Sequence, residues 1–192
     1  MQIKYKISFL AIFLMPADLF SNDNLEIYTS SGSVVGSITN KVISWDDIPY
    51  AEPPVGELRW KAPRDFKNDR NVIRPKNDNF CVQEPSTLGG AEGNDEIVGT
   101  EDCLYLDIKA PTKKSEKLLP VMFWIHGGGN ISGLKDIYDF STMVKKHDVI
   151  IVSINYRLGP FGWFTHPSIQ NKQNGLDKTS NFGTLDIIKA LE

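Results

Sequence analysis

The sequence is short of the residues that most often betray a chemical site. It holds only two cysteines and three histidines, and no third cysteine or neighbouring histidine completes a zinc set around Cys81 and Cys103. Nothing matches Gly-x-x-x-x-Gly-Lys-Ser/Thr, the loop that cradles nucleotide phosphates. Nothing matches Gly-x-Ser-x-Gly either, so no serine, Ser132 and Ser153 included, sits in the sharp turn that presents a nucleophilic hydroxyl. The formal net charge is -3, with no basic stripe and no long acidic tail, which removes the electrostatic footprint of a nucleic-acid binder. There is no internal repeat and no low-complexity stretch. No apolar run reaches the roughly 20 residues that a membrane-spanning helix needs, so no stable membrane span is expected. What remains is ordinary: 192 residues, 41% hydrophobic and 23% charged, enough for one globular domain with a real core.

The start of the chain is the least ordinary part. Lys4 and Lys6 precede a compact apolar run, Ile7 to Met15, and polar residues follow from Ser21. That order of charge, short apolar run and polar flank predicts a secretory signal peptide over residues 1–21, an extracellular location, and a mature domain over residues 22–192. A buried N-terminal strand is the alternative. In an exported chain an even cysteine count invites a disulfide, and closing a loop of the size between Cys81 and Cys103 contributes on the order of 3 kcal/mol. Two free buried thiols are the other reading.

Hydrophobic patterning predicts strands alternating with helices. Leu25 to Thr29 and Ser33 to Ile38 flank the turn residues Ser31-Gly32 and read as an antiparallel pair. Lys41 to Ile48 follows as a further strand, then a proline-rich stretch, Pro49 to Gly56, that suits neither helix nor central strand. Asp65 to Thr100 is rich in Asn, Asp, Gly and Pro and reads as a surface excursion. Leu104 to Lys109 alternates like a strand. Val121 to Ile125 and Val149 to Ile154 are almost wholly apolar, as strands covered on both faces are. Tyr138 to His147 lies between them as a short helix, and Gly183 to Glu192 opens another, with Asn181 as its cap. This alternation predicts an α/β sheet. The chain ends inside the last predicted helix, so a longer parent chain is expected.

One run carries chemistry. Val121 to Ile125 leads straight into His126-Gly127-Gly128-Gly129. In an α/β sheet, ligands bind at the carboxyl ends of strands, and glycines there leave backbone N–H groups unshielded. Fixed N–H donors stabilise the oxyanion that develops during ester hydrolysis, each worth about 3 kcal/mol, and a His-Gly-Gly-Gly loop is the form this element takes in lipases and esterases. A dinucleotide fingerprint begun at Gly127 fails, because Ser132 stands where its last glycine belongs. A plain tight turn is the remaining alternative. His126 is expected to make an orienting hydrogen bond rather than to transfer protons. His147 falls at a helix end, and His166 in a loop.

At this point the chain resembles the type-B carboxylesterases and cholinesterases, and among them invertebrate carboxylesterases. The resemblance is carried by Ile48 to Trp60 (IPYAEPPVGELRW), Glu101 to Ile108 (EDCLYLDI), Val121 to Gly129 (VMFWIHGGG), Ile154 to Phe164 (INYRLGPFGWF) and, more weakly, Asn181 to Glu192. It implies the N-terminal portion of the central, mostly parallel sheet of an α/β-hydrolase fold. It implies a serine acyl-enzyme mechanism on a small carboxylic ester, without cofactor or metal, with the nucleophile, acid and base all beyond Glu192. Gly128 and Gly129 match the oxyanion glycines, which makes them the catalytic candidates of this chain. Cys81 and Cys103 match the first disulfide pair. Arg59 and Glu101 match one family salt bridge, and Arg157 and Asp186 a second, more buried one.

Three departures from the family pattern stand out. Asp47 replaces a glycine. Asn130 replaces an aromatic or small apolar residue and opens a formal glycosylation sequon, Asn130-Ile131-Ser132, read as a chance match because a glycan there would block the site. No tryptophan lies between the cysteines, which speaks against a cation-binding ring for choline esters and for a general esterase. A non-catalytic adhesion or binding relative is the alternative. The intact glycine run favours the enzyme.

Overall fold

A computed structural model describes residues 25–192, apart from 68–71, 74–75, 77–78, 95 and 114. The expected signal peptide lies outside the described residues. Among the described residues, eight strands form two sheets. The smaller contains β1 (Glu26–Thr29), β2 (Gly32–Val35) and β5 (Val72–Ile73), in the order β1-β2-β5. The larger contains β3 (Ser37–Thr39), β4 (Val42–Pro49), β6 (Tyr105–Pro111), β7 (Val121–Ile125) and β8 (Ile150–Ile154), in the order β3-β4-β6-β8-β7. Pairings from β3 through β8 are antiparallel, and β7 joins β8 in parallel. The helices are α1 (Ser141–His147), α2 (Gly159–Gly162), α3 (Pro167–Gln170) and α4 (Phe182–Leu191).

The predicted strand Ser33–Ile38 is in fact two. β1 and β2 pair as expected around the Ser31-Gly32 turn, but the chain leaves that sheet at Gly36 and joins the other. The indole of Trp45 lies there, so close that a Cβ on Gly36 would sit 2.7 Å from its Nε1. Gly36 N–H and Trp45 Nε1 both donate to Leu25 O, pinning the switch point.

Alternation along the strands sorts residues onto two faces of the large sheet. Val42 and Ile151 face α1, where Val144 is fully buried between them. Ile43, Val152 and Ile154 face the other way and pack with Ile187 and Ala190 of α4. Phe182 and Asp186 of α4 recur at helical spacing and are both buried. Burying a side chain such as Val144 or Leu158 stabilises the fold by roughly 2 kcal/mol. Two expectations need correction. α1 begins at Ser141 rather than Tyr138. Asn181 precedes α4, but its side chain makes no capping bond; its backbone carbonyl accepts from Leu185 N–H instead.

β8 is interior, as its apolar run requires. β7 is not: it is the outermost strand of the described sheet, and Val121, Met122 and Ile125 are between 39% and 47% exposed. Among the described residues no helix is long and apolar enough to cross a membrane.

Candidate functional site

β7 and β8 end level with one another, Ile125 opposite Ile154, so the residues after each strand leave the sheet side by side. They are tied together at once. Tyr156 hydroxyl donates to His126 O at 2.9 Å, and the two rings stack with centroids 4.4 Å apart. Further on, Gly159 N–H donates to Asn130 O at 2.7 Å. The glycine run is therefore braced along its length by the neighbouring strand exit.

Gly128, Gly129 and Asn130 follow one another with φ of 110°, 62° and 64°. Consecutive left-handed residues fold the backbone into a tight reverse turn, closed by Ile131 and Ser132 N–H on Gly128 O. Asparagine is among the few side chains that tolerate such a φ, which accounts physically for Asn130. Among the described residues, the N–H groups of Gly128 and Gly129 have no acceptor. Two neighbouring unpaired amides at the carboxyl end of a parallel strand can donate to an oxygen atom of a ligand.

His126 is almost fully buried. Its Nδ1 lies 2.8 Å from Gly127 O; only a protonated Nδ1 can donate there, which leaves Nε2 as a bare acceptor, buried and unpartnered among the described residues. Burial holds the imidazole below its ordinary pKa, which favours the neutral ring, while the bond to Gly127 O opposes that shift. This is an orienting role, as expected. His147 closes α1 in its last turn. His166 caps α3, its Nδ1 accepting from Ser168 N–H.

Behind the turn lies a polar cluster that sequence reasoning missed. Lys135 is 3% exposed, and its ammonium donates to Asp47, Asp107 and Asp136, each at 2.9 Å. Lys135 N–H donates to Asn155 Oδ1 just beyond β8. Burial pushes the Asp107 carboxyl up to about 8, although Lys135 pulls the other way. Asp47 belongs to this cluster, and its φ is 59°. A glycine would suit that backbone, yet the aspartate is held by Asn79 Nδ2 at 2.5 Å, Lys76 N–H at 2.9 Å and Lys135. Lys135 carried no signal in the sequence. A lysine in a loop reads as solvated until its carboxylates are placed around it.

The cysteine loop packs against the same turn. Cys81 and Cys103 form a disulfide, with S–S 1.97 Å and Cα–Cα 5.0 Å. Arg59 pairs with Glu101 beside it through two charge-assisted hydrogen bonds. Arg157 and Asp186 form the second expected pair, buried, with Nε and Nη2 each on one carboxylate oxygen at 2.8 and 2.7 Å. Burial raises the Asp186 carboxyl above its ordinary value, and the guanidinium opposes that shift. Among the described residues no group of three or more His, Cys, Asp or Glu side chains could hold a metal ion.

The chain is similar to known proteins over most of its length. A model of the carboxylesterase family matches residues 23–192. The para-nitrobenzyl esterase of Bacillus subtilis is 39% identical over 168 residues, covering 86% of this chain and 33% of that protein. Juvenile hormone esterase of Tribolium castaneum is 36% identical over 173 residues, covering 86% of this chain and 28% of that protein. The solved structure of a thermophilic PNB esterase superposes with a TM-score of 0.74 at 36% identity, covering 87% of this chain and 34% of that one. The chain thus spans about a third of the length of the relatives it matches. The antiparallel entry into the sheet, the parallel β7–β8 pair and the helices on both faces are the N-terminal part of the α/β-hydrolase fold of these enzymes.

Proposed function

The chain belongs to the carboxylesterase family, and from that premise we propose that it supplies the oxyanion-binding turn of a serine hydrolase acting on small carboxylic esters. The observation that carries this is the pair of amides at Gly128 and Gly129, at the end of β7, which find no acceptor among the described residues. In such a reaction a serine hydroxyl attacks the ester carbonyl, and the carbonyl oxygen gains a full negative charge. Two amides already fixed in place would bind that charge without reorganising. Each such donor is worth about 3 kcal/mol, or roughly a hundredfold in rate.

His126 is not the general base. Its ring is stacked, buried and bonded to Gly127 O. The chain has no Gly-x-Ser-x-Gly, so nucleophile, acid and base are assigned to residues outside these 192. Export is supported by the leader-like residues 1–21 and by the disulfide, which suits an oxidising compartment. A venom carboxylesterase of Apis mellifera, 38% identical over 130 residues, is among the relatives. No observation favours the adhesion alternative.

Two proteins test the proposal. The purified 192-residue chain is expected to hydrolyse a p-nitrophenyl ester no faster than buffer does. Residues 22–192 grafted onto the Bacillus subtilis para-nitrobenzyl esterase, in place of its matching third, are expected to restore turnover. Activity that stays with the isolated chain through purification means that the nucleophile lies within it. A folded but inert graft means that the glycine turn does not serve as an oxyanion site.

A further inference from the structure

We propose that Gln83 is the positioning residue of the glycine turn and couples it to the Cys81–Cys103 loop. The inference rests on the oxyanion role given to Gly128 and Gly129, and it identifies what holds them in place.

Gln83 is 4% exposed, a burial that a primary amide tolerates only when its polar atoms are satisfied. All its hydrogen-bonding capacity goes to backbone. Nε2 donates to Cys81 O and to Gly133 O, both at 3.0 Å. Oε1 accepts from Gly133 N–H at 2.9 Å and from Ala91 N–H at 3.2 Å. Two donors and two acceptor sites exhaust what the group offers. Toward Gly133 the amide acts as a second strand would, giving one bond and taking one. Its own backbone is fixed as well, bridged to Val98 in both directions across the loop.

Gly133 is the point where a hold on the loop becomes a hold on the turn. Its φ is 125°, and a Cβ there would lie 2.1 Å from His126 Nδ1 and 2.5 Å from Gly127 O. It is pressed against the first residues of the glycine run. Ser132 closes the turn on Gly128 O and lies so near Gly128 that a Cβ there would be 2.0 Å from Ser132 O. Displacing Gly133 therefore displaces Ser132 and, with it, Gly128. Gly90 fits between the two elements: a Cβ there would be 2.9 Å from Gln83 Oε1 and 3.3 Å from Ser132 Cβ. Gln83 stands two residues from the disulfide, so the covalent bond and the amide fork act in series.

The test uses site-resolved amide hydrogen exchange on the full chain as wild type, Gln83→Met and Gln83→Glu, with urea midpoints measured in parallel. Methionine keeps length and burial but makes none of the four bonds. It is expected to speed exchange at Ile131, Ser132 and Gly133 at least tenfold more than at β4, β6 and β8. The glutamate variant separates positioning from simple packing. As a carboxylate it faces Cys81 O and Gly133 O without a proton to give. As a protonated acid it regains one donor beside one acceptor and can rebuild the fork to Gly133. Protection of the turn in Gln83→Glu is therefore expected to be low at neutral pH and to recover at least tenfold as the acid protonates, after correction for intrinsic exchange rates, with no such pH dependence in Gln83→Met. Should either variant fail to fold, reduction of the disulfide in the wild-type chain is expected to speed exchange at the same three amides first. Exchange that rises equally throughout the sheet, or a turn that ignores both the substitutions and the disulfide, overturns the proposal. The readout involves no ester, so its failure leaves the hydrolase proposal standing, and a failed turnover test leaves the exchange result intact.

Discussion

Alanine at Gly128 is expected to cost far more stability than alanine at Gly129 or Gly127. At Gly127 an added Cβ meets nothing within 4 Å, and no left-handed φ is involved, so the change is nearly neutral. At Gly129 nothing lies within 4 Å either, and only the left-handed backbone, φ 62°, counts. That costs about 1–2 kcal/mol. At Gly128 the φ of 110° comes with a Cβ placed 2.0 Å from Ser132 O and 2.7 Å from Ser132 C. Backbone atoms do not swing aside as a side-chain tip does, so the turn must open. It then loses the bonds from Ile131 and Ser132 N–H to Gly128 O, each worth about 1 kcal/mol. Together the loss is about 3–4 kcal/mol. Urea unfolding followed by tryptophan fluorescence measures it, with Trp124 close to the turn. For a slope of about 2 kcal/mol per molar urea, Gly129→Ala lowers the midpoint by about 0.5–1 M and Gly128→Ala by about 1.5–2 M. Equal shifts at the two positions would refute the close approach of Ser132.

Three further outcomes are expected. Replacing both Cys81 and Cys103 with serine lowers stability by about 3 kcal/mol, read as a urea midpoint; an unchanged midpoint would show that the loop is constrained without its covalent bond. Between pH 6.5 and 8, stability falls as pH rises: the folded carboxyl of Asp107, raised to about 8 from 3.8, still holds protons that the unfolded one has lost. Asp107→Asn flattens that slope by up to about 1 kcal/mol per pH unit, and an identical slope in the variant contradicts the shift. Arg157→Met leaves Asp186, which is fully buried, without its counter-ion and costs about 3–5 kcal/mol, whereas Arg59→Met at the more exposed pair with Glu101 moves the midpoint far less.

Local pattern carried most of the strands. Val149 to Ile154 and Val121 to Ile125 declared themselves by composition, and β7 and β8 lie where those runs predict. What composition did not reveal was position within the sheet, because an apolar run states what a strand needs and not which neighbours it has. Hence β7 is exposed and β8 is not. The glycine turn was visible for a physical reason: adjacent glycines are costly unless a backbone needs them, and two of the three have left-handed φ. Its supports were not visible. Gln83 and Lys135 are polar residues in polar stretches, and their burial is decided by segments 50 and 28 residues away, at Gly133 and Asp107. Asp47 is intermediate. Its departure from an expected glycine was apparent, and its left-handed backbone explains the expectation, but only the partners Asn79 and Lys76 explain why aspartate is tolerated.

The bridges Cys81–Thr100 and Gln83–Val98 give the disulfide ring a parity. In extended chain, every second side chain points the same way, so the sulfur and the amide can face inward together only while one residue separates them. A single insertion or deletion between Cys81 and Gln83 would turn the amide toward water and leave Gly133 unheld, while the exposed tip around Leu88 is free to lengthen or shorten. Length variation in natural or engineered relatives of this ring should therefore concentrate at its tip and be missing from its base.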